Sequence, residues 1–400
     1  MRAWRRAALL VLAPLLVAGC MNGGILRAPL PSRAPTPTPA PSPIASADPQ
    51  PIVFPRDEAP HGRLTEWWYY TGHLDAADGR EFGFEFVIFR AERGDLPVAW
   101  ASHLALTDAA GGRFLYDQRG EAGPQVDGSP PGGGFALVVG DPKAGSSPGG
   151  SPSLPAGGAG APSPVPAPVP WAMEGREGRD HLSATERRGA FAFDLSLTTD
   201  RPPVLHGGVG WVDFGPAGGS YYYSRTRMLI EGSLALDGGD PVAVTGIAWF
   251  DHQWGDFIAV GAGGWDWFSV QLADGSDLTT YLVRGPRGES LFAYGTLVAP
   301  DGSFRNVPAE AFTVEPTGSW RSPHSGAEYP SGWRVTIPGA GLDLRLDPLL
   351  ADQELDTRAT TGVVYWEGAV AVSGTAGGAP ATGRGYVELT GYARVAPPAP

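Results

Sequence analysis

The sequence predicts an all-β protein arranged as two barrels or sandwiches side by side. Apolar residues alternate with a period of two in several segments, Asp-Gly pairs recur between apolar runs, and no window carries a long amphipathic helical period. Outside the low-complexity stretches, roughly 320 residues remain, enough for one large or two ordinary domains.

At the N-terminus, Arg2, Arg5 and Arg6 precede an apolar run from Ala7 to Gly19 that is too short to span a bilayer as a helix. The run ends in Val17-Ala18-Gly19-Cys20, which reads as a lipoprotein signal peptide over residues 1–20, with the Cys20 thiol as the lipidation site. Cys20 is the only cysteine, so an intramolecular disulfide is excluded. A cell-envelope, extracytoplasmic protein, lipid-anchored to a membrane, is the expected localisation. Residues 21–50, centred on PTPTPAPSP, read as a Pro-rich tether. A second Pro/Gly/Ser stretch at about 140–170 reads as a disordered insert within a domain.

The folded part opens with TEWWYYTGHL, Thr65 to Leu74. Alternation sets Trp67, Tyr69, Thr71 and His73 on one face and Glu66, Trp68 and Tyr70 on the other. A first strand buried on both sides accounts for the tyrosines, while Glu66 and Trp67 are candidates to line a cavity. His103, in WASHLAL, is a candidate to face inward beside them. FGFEFVIFR places Phe82, Phe84, Phe86 and Ile88 on one face, and FAFDLSLTT does the same with Phe191, Phe193, Leu195 and Leu197. Hairpin turns are expected at Asp78-Gly79, Asp237-Gly238, Asp274-Gly275 and Asp301-Gly302. The best helix candidate is a short piece around Pro348 to Leu355.

The densest chemistry runs from Trp249 to Trp267, in WFDHQWGD and GWDW. On one strand His252 and Trp254 share a face with Phe250, Ala248 and Val244; on the next, Asp266 shares a face with Phe268, Val270 and Leu272. A carboxyl on an apolar face beside a histidine and indoles has the composition of a site with displaced pKa values. Asp251 and Asp266 compete for the role of acid.

Composition removes other chemistries. The chain carries 29 basic and 42 acidic residues, a net charge of −13, so a nucleic acid is a poor partner. Its one lysine, Lys143, lies in the insert, which excludes Schiff-base and P-loop chemistry. His73, His103, His206 and His252 match no ligand spacing, so neither a metal nor another cofactor is expected. The 13 tryptophans favour a flat or apolar ligand.

EWWYYTGHL, FGFEFVIFR, WFDHQWGD and GWDWFSVQLADG together resemble the carotenoid 1,2-hydratase (hydroxyneurosporene synthase) and AttH-like lipoprotein family. The resemblance covers about residues 50 to 396. It implies two tandem lipocalin-like β-barrel domains, 51–240 and 241–396, the second beginning close to Pro241. It also implies a hydrophobic ligand (carotenoid, isoprenoid or lipid) as partner. In the hydratase branch a carboxylic acid protonates a terminal alkene, an indole face stabilises the tertiary cation, and a base takes the proton of the attacking water. By resemblance, His252 and Trp254 carry over best, with Asp266 or Asp251 as acid, and Glu66, Trp67, Trp68, Tyr69, His103, Trp265 and Trp267 as ligand-binding residues.

Two functions from different classes stay open. One is a binding module that carries an apolar molecule, with an ABC-type export complex as a further partner. The other is a hydro-lyase acting on an alkene of an acyclic carotenoid or related lipid.

Overall fold

The computed structural model describes residues 48–140, 169–214, 218–257 and 263–393. The signal segment with Cys20, the tether to residue 47 and most of the insert lie outside the described residues.

The first sheet holds β1 (Thr65–Ala76), β2 (Glu81–Ala91), β3 (Ala99–Asp108), β4 (Arg113–Ala122), β5 (Phe135–Val139), β6 (Trp171–Arg176), β7 (Arg179–Thr185), β8 (Phe191–Thr198), β9 (Val204–Leu205), β10 (Trp211–Asp213), β11 (Gly219–Leu236) and β12 (Val242–Gly255). The second holds β13 (Trp265–Leu272), β14 (Asp277–Arg284), β15 (Ser290–Val298), β16 (Phe304–Pro308) and β17 (Thr313–Pro316). After the small hairpin of β18 (Ser319–Arg321) and β19 (Glu328–Pro330), it continues with β20 (Trp333–Ile337), β21 (Leu342–Pro348), β22 (Glu354–Asp356), β23 (Val364–Ala376) and β24 (Ala379–Leu389). Each large sheet curls into a nearly closed, lipocalin-like barrel.

The alternation read from sequence holds. Phe82, Phe84, Phe86, Ile88, Phe191, Phe193, Leu195 and Leu197 all enter the first core, with Trp68 and Tyr70. The four Asp-Gly pairs connect β1–β2, β11–β12, β13–β14 and β15–β16. Gly79 shows why the pair is needed: its φ of 87° lies where a β-carbon is strained.

Two expectations are corrected. The second barrel does not begin near Pro241, because β12 pairs along its length with β1 and β11; the change of sheet falls between Gly255 and Trp265. β12 lies between β1 and β11 and turns Ala248, Phe250 and Trp254 into the first core, so it belongs to the first sheet. The proposed helix at Pro348 to Leu355 is the end of β21, a connection and β22. There the Gln353 side chain accepts from the Ala369 amide at 2.9 Å and donates to Leu350 O at 2.9 Å, so strand pairing with β23 prevails over a lone helical turn.

The barrels pack through their outer faces. Tyr69, Val87 and Trp249 of the first meet Trp267, Ala369 and Tyr386 of the second in a separate apolar cluster. Polar bonds also cross the seam: His73 Nε2 donates to Gly385 O at 2.9 Å, and Gln271 Nε2 to Ala248 O at 3.0 Å. The candidate functional site lies on this seam.

Candidate functional site between the barrels

A strand shared between a barrel core and an inter-barrel face sends successive side chains to different places. On β12, Phe250, His252 and Trp254 point into the first barrel, whereas Trp249, Asp251 and Gln253 face the second. On β13, Phe268 and Val270 enter the second core, whereas Trp265 and Trp267 face the first. The facing sets enclose a cavity of ≈130 Å³. Its walls are Trp67, Tyr69, Phe89, Tyr222, Trp265, Trp267, Tyr281, Phe214 and Phe257, with Thr65 and Gln253; its two carboxyls are Asp251 and Glu388.

Asp251 is buried and richly bonded. Trp249 Nε1 donates to Oδ1 at 2.7 Å, Tyr222 OH to Oδ2 at 2.6 Å, and the Ser224 hydroxyl also bonds Oδ1. Burial pushes its pKa up to about 7, against these donors, which favour the charged form. Glu388 accepts Trp265 Nε1 at 3.0 Å on Oε2. Burial pushes it too up to about 7; the indole bond opposes the rise, and the charges of Asp251 and Asp266 reinforce it. The site thus holds two carboxyls that exchange protons near neutrality among aromatic rings.

The structure brings Trp67, Tyr69, Asp251, Trp265 and Trp267 together as expected of one site. It does not bring the others. His252 lies inside the first barrel, its ring 4.6 Å from those of Trp68 and Trp254, and its Nε2 donates to Glu66 Oε1 at 2.8 Å. Asp266 turns away from the cavity to bond Arg284 Nη2 and Tyr392 OH, each at 3.0 Å, with burial raising it to about 6. His103 lies on the seam beside the site, packing on Phe89 at 5.2 Å and bonding Tyr365 OH at 2.7 Å. The expected constellation of Asp266, His252 and Trp254 is therefore split between two barrel interiors by the period of two.

Among the described residues, His61, Glu66 and His252 bring possible metal-ligand atoms within 4.8 Å of one another. They form a bonded network: His61 Nδ1 also donates to Glu66 Oε1, at 2.7 Å, and the His61 amide to Oε2 at 2.9 Å. Although burial acts to raise the Glu66 pKa, the bonds from His252 and His61 hold it below its ordinary value. Of the four histidines weighed as ligands, His73, His103 and His206 each have other partners.

Sequence reasoning missed Glu388, Tyr222 and Tyr281. For Glu388 a signal existed: in GYVELTG it is a lone acid in an apolar strand, on the opposite face from Val387 and Leu389. Tyr222 sits in a run of three tyrosines whose facing cannot be assigned without the strand's register.

The chain is thus a double lipocalin-like β-barrel protein with a carboxyl-bearing aromatic cavity between its barrels. The AttH-like family profile matches residues 45–143 and 165–392, and the chain belongs to that family. A crystal structure of a putative AttH from Nitrosomonas europaea is similar at 31% identity, covering 86% of this chain and 98% of that one, with a TM-score of 0.71. Kievitone hydratase from Nectria haematococca shares the fold at 17% identity, covering 85% of this chain and 93% of that one, with a TM-score of 0.59. Comparison with curated proteins gives no match.

Proposed function

We propose that the chain is a hydratase that adds water across an alkene at the end of an acyclic isoprenoid or related lipid. The observation that carries this reading is that Asp251 and Glu388 line one aromatic cavity. A carrier needs the aromatic walls; it gains nothing from two buried carboxyls poised near neutrality, whose desolvation costs stability.

Glu388, with a single indole donor, is the acid. Its proton goes to the less substituted carbon of the end alkene, the π bond breaks, and a tertiary carbocation forms on the other carbon. The faces of Trp265, Trp267 and Tyr281 stabilise that charge. Asp251, whose donors favour the carboxylate, takes a proton from the attacking water as its oxygen bonds the cation. The product gains one water, and the proton returns from Asp251 to Glu388 to reset the site. At ≈130 Å³ the cavity is smaller than the roughly 300–1,000 Å³ of a pocket that engulfs a drug-sized ligand, so it takes one chain end. The hydration performed by the fungal neighbour is the same class of reaction, but that likeness speaks to fold, and the assignment here rests on the carboxyl pair.

The test is incubation with acyclic carotenoids and shorter isoprenoid alkenes, followed by mass spectrometry. A product heavier by one water, absent with Glu388→Gln and Asp251→Asn, supports the reading. An unaltered alkene that copurifies with all three proteins refutes it and leaves the carrier. We further propose that Cys20 lipidation anchors the protein on the outer side of a membrane; Cys20→Ser then moves it from the membrane fraction to the soluble fraction.

A further inference from the structure

Asp251 is held from the side away from the cavity by a residue that the proposed reaction does not use. His206 lies in the turn between β9 and β10, fully buried, with its ring 4.0 Å from that of Tyr222. Its Nε2 is 2.6 Å from Ser224 Oγ and its Nδ1 is 3.1 Å from Thr296 Oγ1. Ser224 Oγ in turn bonds Asp251 Oδ1. His206 therefore touches both hydroxyl partners of the carboxyl, one by a hydrogen bond and one by a tilted ring contact.

Counting protons along this chain fixes its direction. The Trp249 indole N–H can only donate, and it donates to Oδ1. The Tyr222 oxygen accepts Trp267 Nε1–H at 3.2 Å, so its own proton goes to Asp251 Oδ2. The single Ser224 proton has two acceptors within reach, Asp251 Oδ1 and His206 Nε2. When Asp251 is ionised the proton turns to the carboxylate, and the short Ser224–His206 contact is then a bond only if Nε2 carries hydrogen. Nδ1 is then the acceptor, facing the Thr296 hydroxyl. When Asp251 is protonated toward Ser224, the Ser224–Asp251, His206–Ser224 and Thr296–His206 bonds reverse, and Nδ1 carries the hydrogen.

We infer that His206 is a positioning residue of the hydration site: as the Nε2–H tautomer it donates to Ser224, turns the Ser224 hydroxyl onto Asp251, and so sets that carboxylate as the base. The inference deepens the proposed function and rests on it for its catalytic meaning. The imidazole stays neutral throughout, because burial pushes its pKa down to about 3. The titratable groups facing Asp251 are Tyr222 from β11, Tyr281 from β14, Tyr294 from β15, Glu388 from β24 and His206. Burial holds the three tyrosines neutral, so Glu388 is the one neighbour that changes charge with Asp251 near neutrality.

The experiment is nuclear magnetic resonance on the full chain, with ¹⁵N-histidine to read the His206 tautomer and ¹³C-aspartate to titrate Asp251. Wild type is expected to show the Nε2–H tautomer wherever Asp251 is ionised. Ser224→Ala removes one donor from the carboxylate and raises the Asp251 midpoint by about one pH unit; the acid limb of any hydration rate moves up with it. Ser224→Thr, which keeps the hydroxyl, restores the midpoint. His206→Gln, which keeps an N–H at the Nε2 position, stays near wild type, whereas His206→Leu follows Ser224→Ala. An Nδ1–H tautomer beside an ionised Asp251, or an unmoved midpoint in Ser224→Ala, overturns the inference. Neither readout needs turnover: hydration with an unmoved midpoint rejects the inference alone, and a moved midpoint without hydration rejects the proposed reaction alone.

Discussion

In the proposed hydration, Glu388 and Asp251 divide acid and base between them because their hydrogen bonds differ: one indole donor against an indole and two hydroxyls. Removing either proton carrier in isosteric form, Glu388→Gln or Asp251→Asn, is predicted to lower the hydration rate by about 10²- to 10⁴-fold while circular dichroism stays native. The rate should rise with pH as Asp251 ionises and fall as Glu388 loses its proton. Both groups sit at about 7, so the profile is a narrow bell near neutrality whose limbs belong to the pair. Rates at pH 5 and 9 equal to that at 7 would contradict the assignment. Part of this chemistry was legible in the letters. Asp251 and the tryptophans stood out by density, whereas Glu388 was hidden because its partners lie on strands more than a hundred residues away, and only strand order brings them together.

At the scale of elements, alternation decided what the sequence could and could not reveal. The faces of β1, β2, β8, β12 and β13 followed from the period of two, so the core was readable. Alternation also separates Asp251 from His252 and Asp266 from Trp267, so proximity in sequence was misleading about the site. The inter-barrel face offers no such pattern, because a strand buried on both sides lacks the apolar–polar alternation that would tell the face toward the second barrel from the face toward its own core. A tight point is Gly83 of β2, where an added β-carbon would lie 2.4 Å from the Ala369 Cβ of β23. Gly83→Val is predicted to force the seam apart, costing about 1–3 kcal/mol. Tryptophan emission should shift to the red as Trp249 and Trp267 gain water. A melt and an emission spectrum unchanged from wild type would show that the seam yields without loss.

The whole molecule carries an unusual number of buried groups in their neutral forms, and this sets how its stability depends on pH. Burial holds His73 and His252 down to about 4 and His103 and His206 to about 3, while it raises Asp180, Asp251 and Glu388 to about 7 and Glu85 to about 8. Just above the ordinary histidine value of 6.5 the unfolded imidazoles still lose protons, an opposing slope that fades by about pH 7.5, where all four are uncharged in both states. The raised carboxyls are protonated when folded and ionised when unfolded, so the native state binds more protons. Stability therefore falls as pH rises from 6.5 to about 8, by about 2–4 kcal/mol, and Tm falls by several degrees. A flat or rising Tm over that range would contradict these burial effects. That two lipocalin-like barrels form was legible from strand count, turns and family resemblance; that a carboxyl-bearing cavity lies between them was not, since no local pattern records how two finished barrels dock. The measurement that tests the central claim most directly sets Glu388→Gln beside His252→Gln in the same hydration assay, the second substitution keeping an N–H for Glu66 inside the first barrel. If the inter-barrel cavity is the site, Glu388→Gln abolishes addition of water and His252→Gln, folded, retains it. The reverse result would move the chemistry into the barrel interior and contradict the account.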